Sequence, residues 1–185
     1  MPESPSMLMM FPICVLLDIV EHSPSSAEEC SAIVLPSLFT YLTSTDLTVS
    51  CTYGLGVCAM YGGTCFDQYC GKAVSVLLSL TGADTAGLRA LSINEDDLDM
   101  DSVKDNAYSS LLKISIFKQN ILLSTADQLL QYCFQNFPLN SDISEAKSAH
   151  KLFIDLIIKR DQRLLGASGH FENLSQVWEC CRIVL

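Results

Sequence analysis

The chain has 185 residues, which is the length of one domain with a substantial buried core. Hydrophobic residues make up 49% and charged residues 17% of it, and this excludes a wholly disordered protein. With 11 Lys and Arg against 21 Asp and Glu, the net charge of -10 argues against nucleic-acid binding. It fits a basic partner better, although acidity often serves solubility alone.

The most apolar stretch of the chain is residues 7–20, MLMMFPICVLLDIV. Its uncharged part ends at Asp18, well short of the roughly 20 residues that a membrane-spanning helix needs. A signal peptide begins with basic residues, whereas the only charged residue ahead of this stretch is Glu3. We therefore expect neither membrane insertion nor secretion.

Helical periodicity dominates the rest of the chain, and no segment shows the sustained alternation of a strand. In the clearest case, Ala146, Ala149, His150 and Phe153 recur at the spacing of one helix face. The sequence predicts an all-α protein. The predicted helices cover residues 27–43, 46–61, 66–80, 103–117, 124–137, 146–157 and 170–185.

Polar residues and glycines mark the ends of these helices. Residues 44–46 and 140–142 each offer a possible N-cap. Gly54 and Gly56 fall inside a helix, where they indicate close packing of a neighbouring helix. Gly62 and Gly63 can form a left-handed stop at its C-terminal end.

Residues 82–101 differ from the rest, because they contain six acidic residues and few candidates for a core. This composition predicts a long acidic loop inserted between helices. The loop could contact a basic partner, but a solvated loop is the simpler interpretation.

The nine cysteines lack the spacing of a metal site or a disulfide framework. Cys65 and Cys70 are five residues apart, Cys180 and Cys181 are adjacent, and neither pair has a histidine beside it. We interpret the cysteines as free and mostly buried thiols, and we expect no metal and no cofactor.

No catalytic motif is recognisable either. His22, His150 and His170 have no serine or cysteine partner in a nucleophile motif, and the chain has no phosphate-binding loop. His150 falls on the apolar stripe and is interpreted as a core residue. We expect no enzymatic activity and no catalytic residue.

A degenerate internal repeat suggests how the helices are arranged. One apolar triplet before a turn recurs 95 residues later, and this offset equals two units of about 47 residues. The triplets are Leu35, Phe39 and Leu42 and, in the second copy, Leu130, Phe134 and Phe137. A period of about 47 is typical of HEAT and armadillo repeats, so residues 1–185 are predicted to form one α-α superhelical array of about four repeats.

Five segments resemble the C-terminal region of importin-5-like karyopherins, which belong to the importin-β superfamily and are also called importin beta-3 or Ran-binding protein 5. The resemblance extends in the family's order over nearly the whole chain from Phe11. The segments are FPICVLLDIVEHSP (11–24), YGLGVCAMYGG (53–63), DNAYSSLLKI (105–114), FPLNSDISEA (137–146) and LLGASGHFENL (164–174).

The resemblance implies a function in the import of proteins into the nucleus through cargo and Ran GTPase binding. The expected partners are protein cargo with basic import signals and, through the parent receptor, Ran, and the expected location is the cytoplasm and the nucleus. The chain would then be a segment of a transport receptor. The alternative is a stand-alone HEAT-repeat interaction scaffold that does not respond to Ran.

The resemblance also suggests where cargo would bind. In karyopherins the second helix of each repeat lines the concave surface, where acidic side chains can meet basic import signals. The candidate cargo-binding residues are Asp46, Asp105, Asn106, Asp142 and Glu145. Helix capping and hydrogen bonding between repeats are the structural alternative for Asp105 and Asn106.

Overall fold

The computed structural model describes residues 5–91, 93, 98–164 and 174–184. The described residues form helices joined by turns and contain no strand, so the all-helical prediction is confirmed for them. The helices are α1 (Pro5–His22), α2 (Ala27–Tyr41), α3 (Thr48–Tyr61), α4 (Cys70–Leu80), α5 (Thr85–Ala90), α6 (Met100–Phe117), α7 (Gln119–Leu122), α8 (Ser124–Gln135), α9 (Ile143–Ile158) and α10 (Leu174–Val184). Short 3₁₀ helices cover Gly63–Tyr69 and Gln162–Leu164.

Every predicted helix has a counterpart, with differences at the ends. The segment predicted as one helix over 66–80 is divided into the 3₁₀ helix Gly63–Tyr69 and α4. The last helix is described from Leu174 onward. The start predicted for it, and the break predicted at 166–169, lie outside the described residues.

The acidic stretch 82–101 is not one uninterrupted loop. It contains α5, whose N-cap Asp84 accepts a hydrogen bond from the Gly87 N–H at 2.9 Å. Asp99 caps α6 in the same way through the Ser102 N–H, and α6 therefore begins three residues before its predicted start. Part of the acidity thus serves helix capping, which overall composition does not reveal. Residues 92 and 94–97 lie outside the described residues.

The two predicted N-cap sites differ in outcome. Asp142 caps α9, since its side chain accepts a hydrogen bond from the Glu145 N–H. At α3 the N-cap position is Leu47, whose side chain makes no capping hydrogen bond. The Thr48 hydroxyl instead donates a hydrogen bond to the Ser44 carbonyl at 2.9 Å. The prediction of a cap within residues 44–46 was therefore wrong.

Four helices form a continuous row through the molecule. Helix α3 packs against both α1 and α6, and α6 packs against both α3 and α9. Four further elements pack against members of this row: α2 on α1 and α3, α4 on α6, α8 on α6, and α10 on α9. Helix α6 lies at the centre of these contacts and contributes ten buried residues.

Helices α3 and α6 are in close contact at Gly56. Ser110 donates a hydrogen bond from its hydroxyl to the Thr52 carbonyl at 2.8 Å, one turn before Gly56. A Cβ atom on Gly56 would lie 2.5 Å from Ser110 Oγ and 3.0 Å from Ser110 Cα. Only glycine therefore fits at this crossing without a shift of one helix.

Three other glycines that the sequence analysis singled out, Gly54, Gly62 and Gly63, also have close neighbours. A Cβ atom on Gly54 would lie 2.8 Å from a methyl group of Leu17, and one on Gly62 would lie 2.6 Å from the hydroxyl of Ser31. Gly63 has a positive φ of 61°, whereas Gly62 has a φ of -78°. Only Gly63 thus adopts the left-handed conformation that was expected of the pair.

Candidate functional site

A polar groove of about 470 Å³ crosses one face of the row formed by α1, α3, α6 and α9. It lies between the C-terminal end of α1, the first half of α3, and the first turns of α6 and α9. Its described lining residues include three carboxylates and no lysine or arginine. The lining residues are Glu21, His22, Val49, Ser50, Tyr53, Asn106, Asp142, Ser144, Glu145 and Ser148.

Three of the five predicted cargo-binding residues meet in this groove, namely Asn106, Asp142 and Glu145. Helix α6 supplies the first, and the N-terminal turn of α9 supplies the other two. Asp46 is not part of the groove lining, because it lies exposed in the turn between α2 and α3. Asp105 borders this site without lining it.

Asp105 holds the turn that precedes α9. Its Oδ2 atom accepts hydrogen bonds from the backbone N–H groups of Asn140 at 2.8 Å, Ser141 at 2.6 Å and Asp142 at 3.3 Å. A carboxylate that accepts several backbone N–H groups stabilises the backbone conformation around it. Asp105 therefore positions the Asp142 cap and, through it, one wall of the groove.

Asp142 joins α9 to α6. Its Oδ1 atom accepts the Glu145 N–H at 3.1 Å, and its Oδ2 atom accepts a hydrogen bond from Asn106 Nδ2 at 3.0 Å. The second proton of that amide nitrogen is donated to the Ser102 carbonyl at 3.0 Å. These bonds fix both side chains in one arrangement.

Glu145 is 5% exposed and forms an ion pair with the equally buried Lys113, with 2.5 Å between Lys113 Nζ and Glu145 Oε1. The Ser109 hydroxyl donates to the same carboxylate oxygen. A buried charge is tolerated when it is paired and hydrogen-bonded in this way. The charge of Glu145 is thus compensated inside the protein, whereas Glu21 and Asp142, the other two carboxylates of the groove, form no ion pair with any residue that the structure describes.

Tyr53 and Glu21 form the opposite wall. The Tyr53 hydroxyl donates a hydrogen bond to Glu21 Oε2. Burial and the neighbouring Glu21 raise the pKa of Tyr53 above its ordinary value, so its hydroxyl keeps the proton that it donates. This bond orients the Glu21 carboxylate at the edge of the groove.

The sequence analysis missed Ser109, Lys113, Glu21 and Tyr53. A signal for two of them was present, since Asn106, Ser109 and Lys113 follow an i, i+3, i+7 spacing and mark a polar stripe along α6. The pairing of Glu21 with Tyr53 depends on the packing of α1 against α3, which no local pattern encodes.

His150 lies in the core, where the apolar stripe placed it. Its side chain is completely buried against Phe137, and its Nε2 atom accepts the Leu139 N–H at 3.0 Å. Burial lowers the pKa of His150 to about 4, which keeps the ring neutral at pH 7.

The described residues contain no group of three or more His, Cys, Asp or Glu side chains arranged to hold a metal ion. None of the helices in the described part of the chain combines the length and the hydropathy of a bilayer-spanning segment.

Comparisons with known proteins found no family model and no solved structure that matches the chain.

Proposed function

We propose that this chain is a HEAT-like repeat segment of a nuclear transport receptor, and that it binds basic segments of protein cargo. The observation that carries the proposal is the groove, which is acidic and free of Lys and Arg among its described lining residues. Import of proteins into the nucleus, regulation by Ran through the parent receptor, and residence in both cytoplasm and nucleus follow from the resemblance to importin-5-like karyopherins.

The helix packing supports the repeat architecture. In the row formed by α1, α3, α6 and α9, neighbouring members are separated along the chain by other elements, of which α2, α4, α7 and α8 pack against the row. The first two residues of each apolar triplet lie in α2 and in α8, and the third residue follows just after the helix. The segment 63–80 lies between the two triplets in chain order. This is the spacing of alternate units in an array of two-helix repeats.

The chemistry of the groove supports a basic ligand. Glu21 and Asp142 bring negative charge to its two walls, and the serine hydroxyls between them can accept hydrogen bonds. A volume of about 470 Å³ falls within the range of about 300–1,000 Å³ that is usual for binding pockets. The net charge of -10 would also attract a basic segment over a longer range.

A charge placed inside the groove tests this proposal. We expect a fluorescent peptide of alternating Lys and Arg to bind the full chain, and a Glu peptide of equal length not to bind. Ser50→Lys adds a cation to the groove and should weaken binding about tenfold, because like charges at a binding surface repel. Ser75→Lys makes the same change on the exposed face of α4 and should bind as the wild type does.

The peptide affinities, measured by fluorescence anisotropy, decide the matter. Equal weakening by the two lysine variants would show that net charge, rather than the groove, governs binding. The response to Ran-GTP separates the two classes of function, a transport receptor and a stand-alone scaffold. A transport receptor releases its cargo when Ran-GTP is added, whereas a stand-alone scaffold retains the same peptide.

A further inference from the structure

We propose that the groove is a socket for one arginine side chain of the bound segment, and that Asn106 Oδ1 is its buried acceptor. This inference rests on the proposed function, because it specifies which basic group the groove selects. It starts from a polar atom that the protein itself leaves without a partner.

Asn106 is 1% exposed, and its Oδ1 atom has no hydrogen-bond partner among the described residues. The orientation of the amide is fixed, because Nδ2 donates to both the Ser102 carbonyl and Asp142 Oδ2. A flipped amide would place its oxygen against these two acceptors. Asn106 therefore contributes an unused acceptor to the lining of the groove.

An unpartnered acceptor in a buried position is unfavourable, since it has lost its hydrogen bonds to bulk water. A ligand that supplies an N–H donor removes this penalty when it binds. Two neighbouring donors are directed elsewhere, since Lys113 bonds to Glu145 and the Tyr53 hydroxyl bonds to Glu21. A bound group can supply the missing donor.

The surrounding groups favour a guanidinium over other donors. Asp142 lies next to the amide of Asn106 and Glu21 lines the opposite wall, so the groove offers charged and neutral acceptors together. A guanidinium carries five donors in one plane and no acceptor, and it is less strongly hydrated than an ammonium. It can bond to an amide oxygen and a carboxylate at the same time, whereas a lysine ammonium is a compact charge that loses more hydration.

The remaining lining suits the arginine stem. Val49 and the ring of Tyr53 are half-buried and border the groove on α3, where the three methylene groups of an arginine can pack. A phosphate or carboxylate ligand would meet the charges of Glu21 and Asp142 and would find no lysine or arginine among the lining residues that the structure describes.

The test compares two peptides of equal charge, capped hexaarginine and capped hexalysine, on the full chain. We expect wild type to bind hexaarginine about tenfold more tightly, which is the usual effect of one charge-assisted hydrogen bond. Asn106→Ala should abolish this preference while it retains weak binding of both peptides. Circular dichroism and thermal unfolding establish whether this variant is folded.

A second pair of variants keeps the test decisive if Asn106→Ala does not fold. Glu21→Gln retains an acceptor for Tyr53 but removes the charge, and the preference for arginine should fall about threefold as the ion pair weakens. Glu29→Gln makes the same charge change at an exposed position of α2 outside the groove and should keep the wild-type preference.

The outcomes separate the two proposals. Equal wild-type affinity for both peptides, or a preference that survives Asn106→Ala and Glu21→Gln, overturns the arginine socket and leaves the proposed function in place. If neither peptide binds wild type, the proposed function fails together with the socket.

Discussion

Asp105 and Asn106 are neighbours in the chain, yet the structure gives their side chains different roles. The Asp105 carboxylate accepts hydrogen bonds from three backbone N–H groups of the turn before α9, so it stabilises the conformation of that turn. Asn106 uses its amide nitrogen for the contact between α6 and α9, and its Oδ1 atom has no hydrogen-bond partner among the described residues. The proposed function accordingly assigns ligand contact to Asn106, whereas Asp105 has a positioning role in the turn.

The lowered pKa of His150 predicts that the folded chain loses stability in acid. Its pKa is lowered to about 4 in the folded chain, against an ordinary value of about 6.5. Between these values the unfolded chain binds a proton at His150 that the folded chain does not, so stability falls as the pH falls from about 6.5 to about 4. The expected loss is about 2 kcal/mol at pH 5 relative to pH 8, because one pKa unit corresponds to about 1.4 kcal/mol.

Urea unfolding of wild type and His150→Gln at pH 8 and pH 5 measures this loss. Glutamine can still accept the Leu139 N–H but does not titrate in this range. Relative to the variant, the wild type should be less stable at pH 5 than at pH 8. A stability difference that is the same at both pH values would show that His150 is free to take up a proton in the folded chain.

At the scale of the helices, the crossing of α3 and α6 organises the structure. The two helices approach closely at Gly56, and the polar stripe of α6 then reaches α9 through Asn106, Ser109 and Lys113. A shift of α6 relative to α3 would therefore change both the core contact and the wall of the groove.

Two glycine substitutions test this contact. Gly56→Ala should destabilise the protein by about 1–3 kcal/mol, because its Cβ atom would lie 3.0 Å from a backbone atom of α6. Gly71→Ala is the matched control, since no atom lies within 4 Å of its added Cβ and alanine is the better helix former. It should stabilise the protein by about 0.5–1 kcal/mol. Thermal unfolding of both variants measures these changes. Equal effects of the two substitutions on stability would contradict the close contact of α3 and α6 at Gly56.

The sequence predicted helices better than it predicted what their polar residues do. The 3.6-residue periodicity located α9 and its cap at Asp142, because both signals are local. The helix within 82–101 was missed, since a capping aspartate acts through backbone geometry rather than composition. The division of the predicted helix 66–80 into the 3₁₀ helix Gly63–Tyr69 and α4 was missed as well. Of the candidate site, Asn106, Asp142 and Glu145 come together as a polar face, whereas Asp46 lies apart from it.

At the scale of the whole molecule, the row of α1, α3, α6 and α9 provides one face on which residues distant in sequence form a single acidic groove. Glu21 and Ser148 both line it although they are separated by most of the described chain. Such a face could not be derived from local patterns, because it depends on which helices are neighbours. It is also the feature on which the proposed binding of basic segments depends.

Hydrogen exchange of the full chain, measured by mass spectrometry with and without the Lys-Arg peptide, tests this central claim most directly. The account predicts slower exchange in the segments that line the groove, which are the end of α1, the first half of α3 and the first turns of α6 and α9. Exchange in α4 and α8 should be unchanged, since neither contributes to the lining. Protection confined to α4 or α8, or no protection at a saturating peptide concentration, would contradict it.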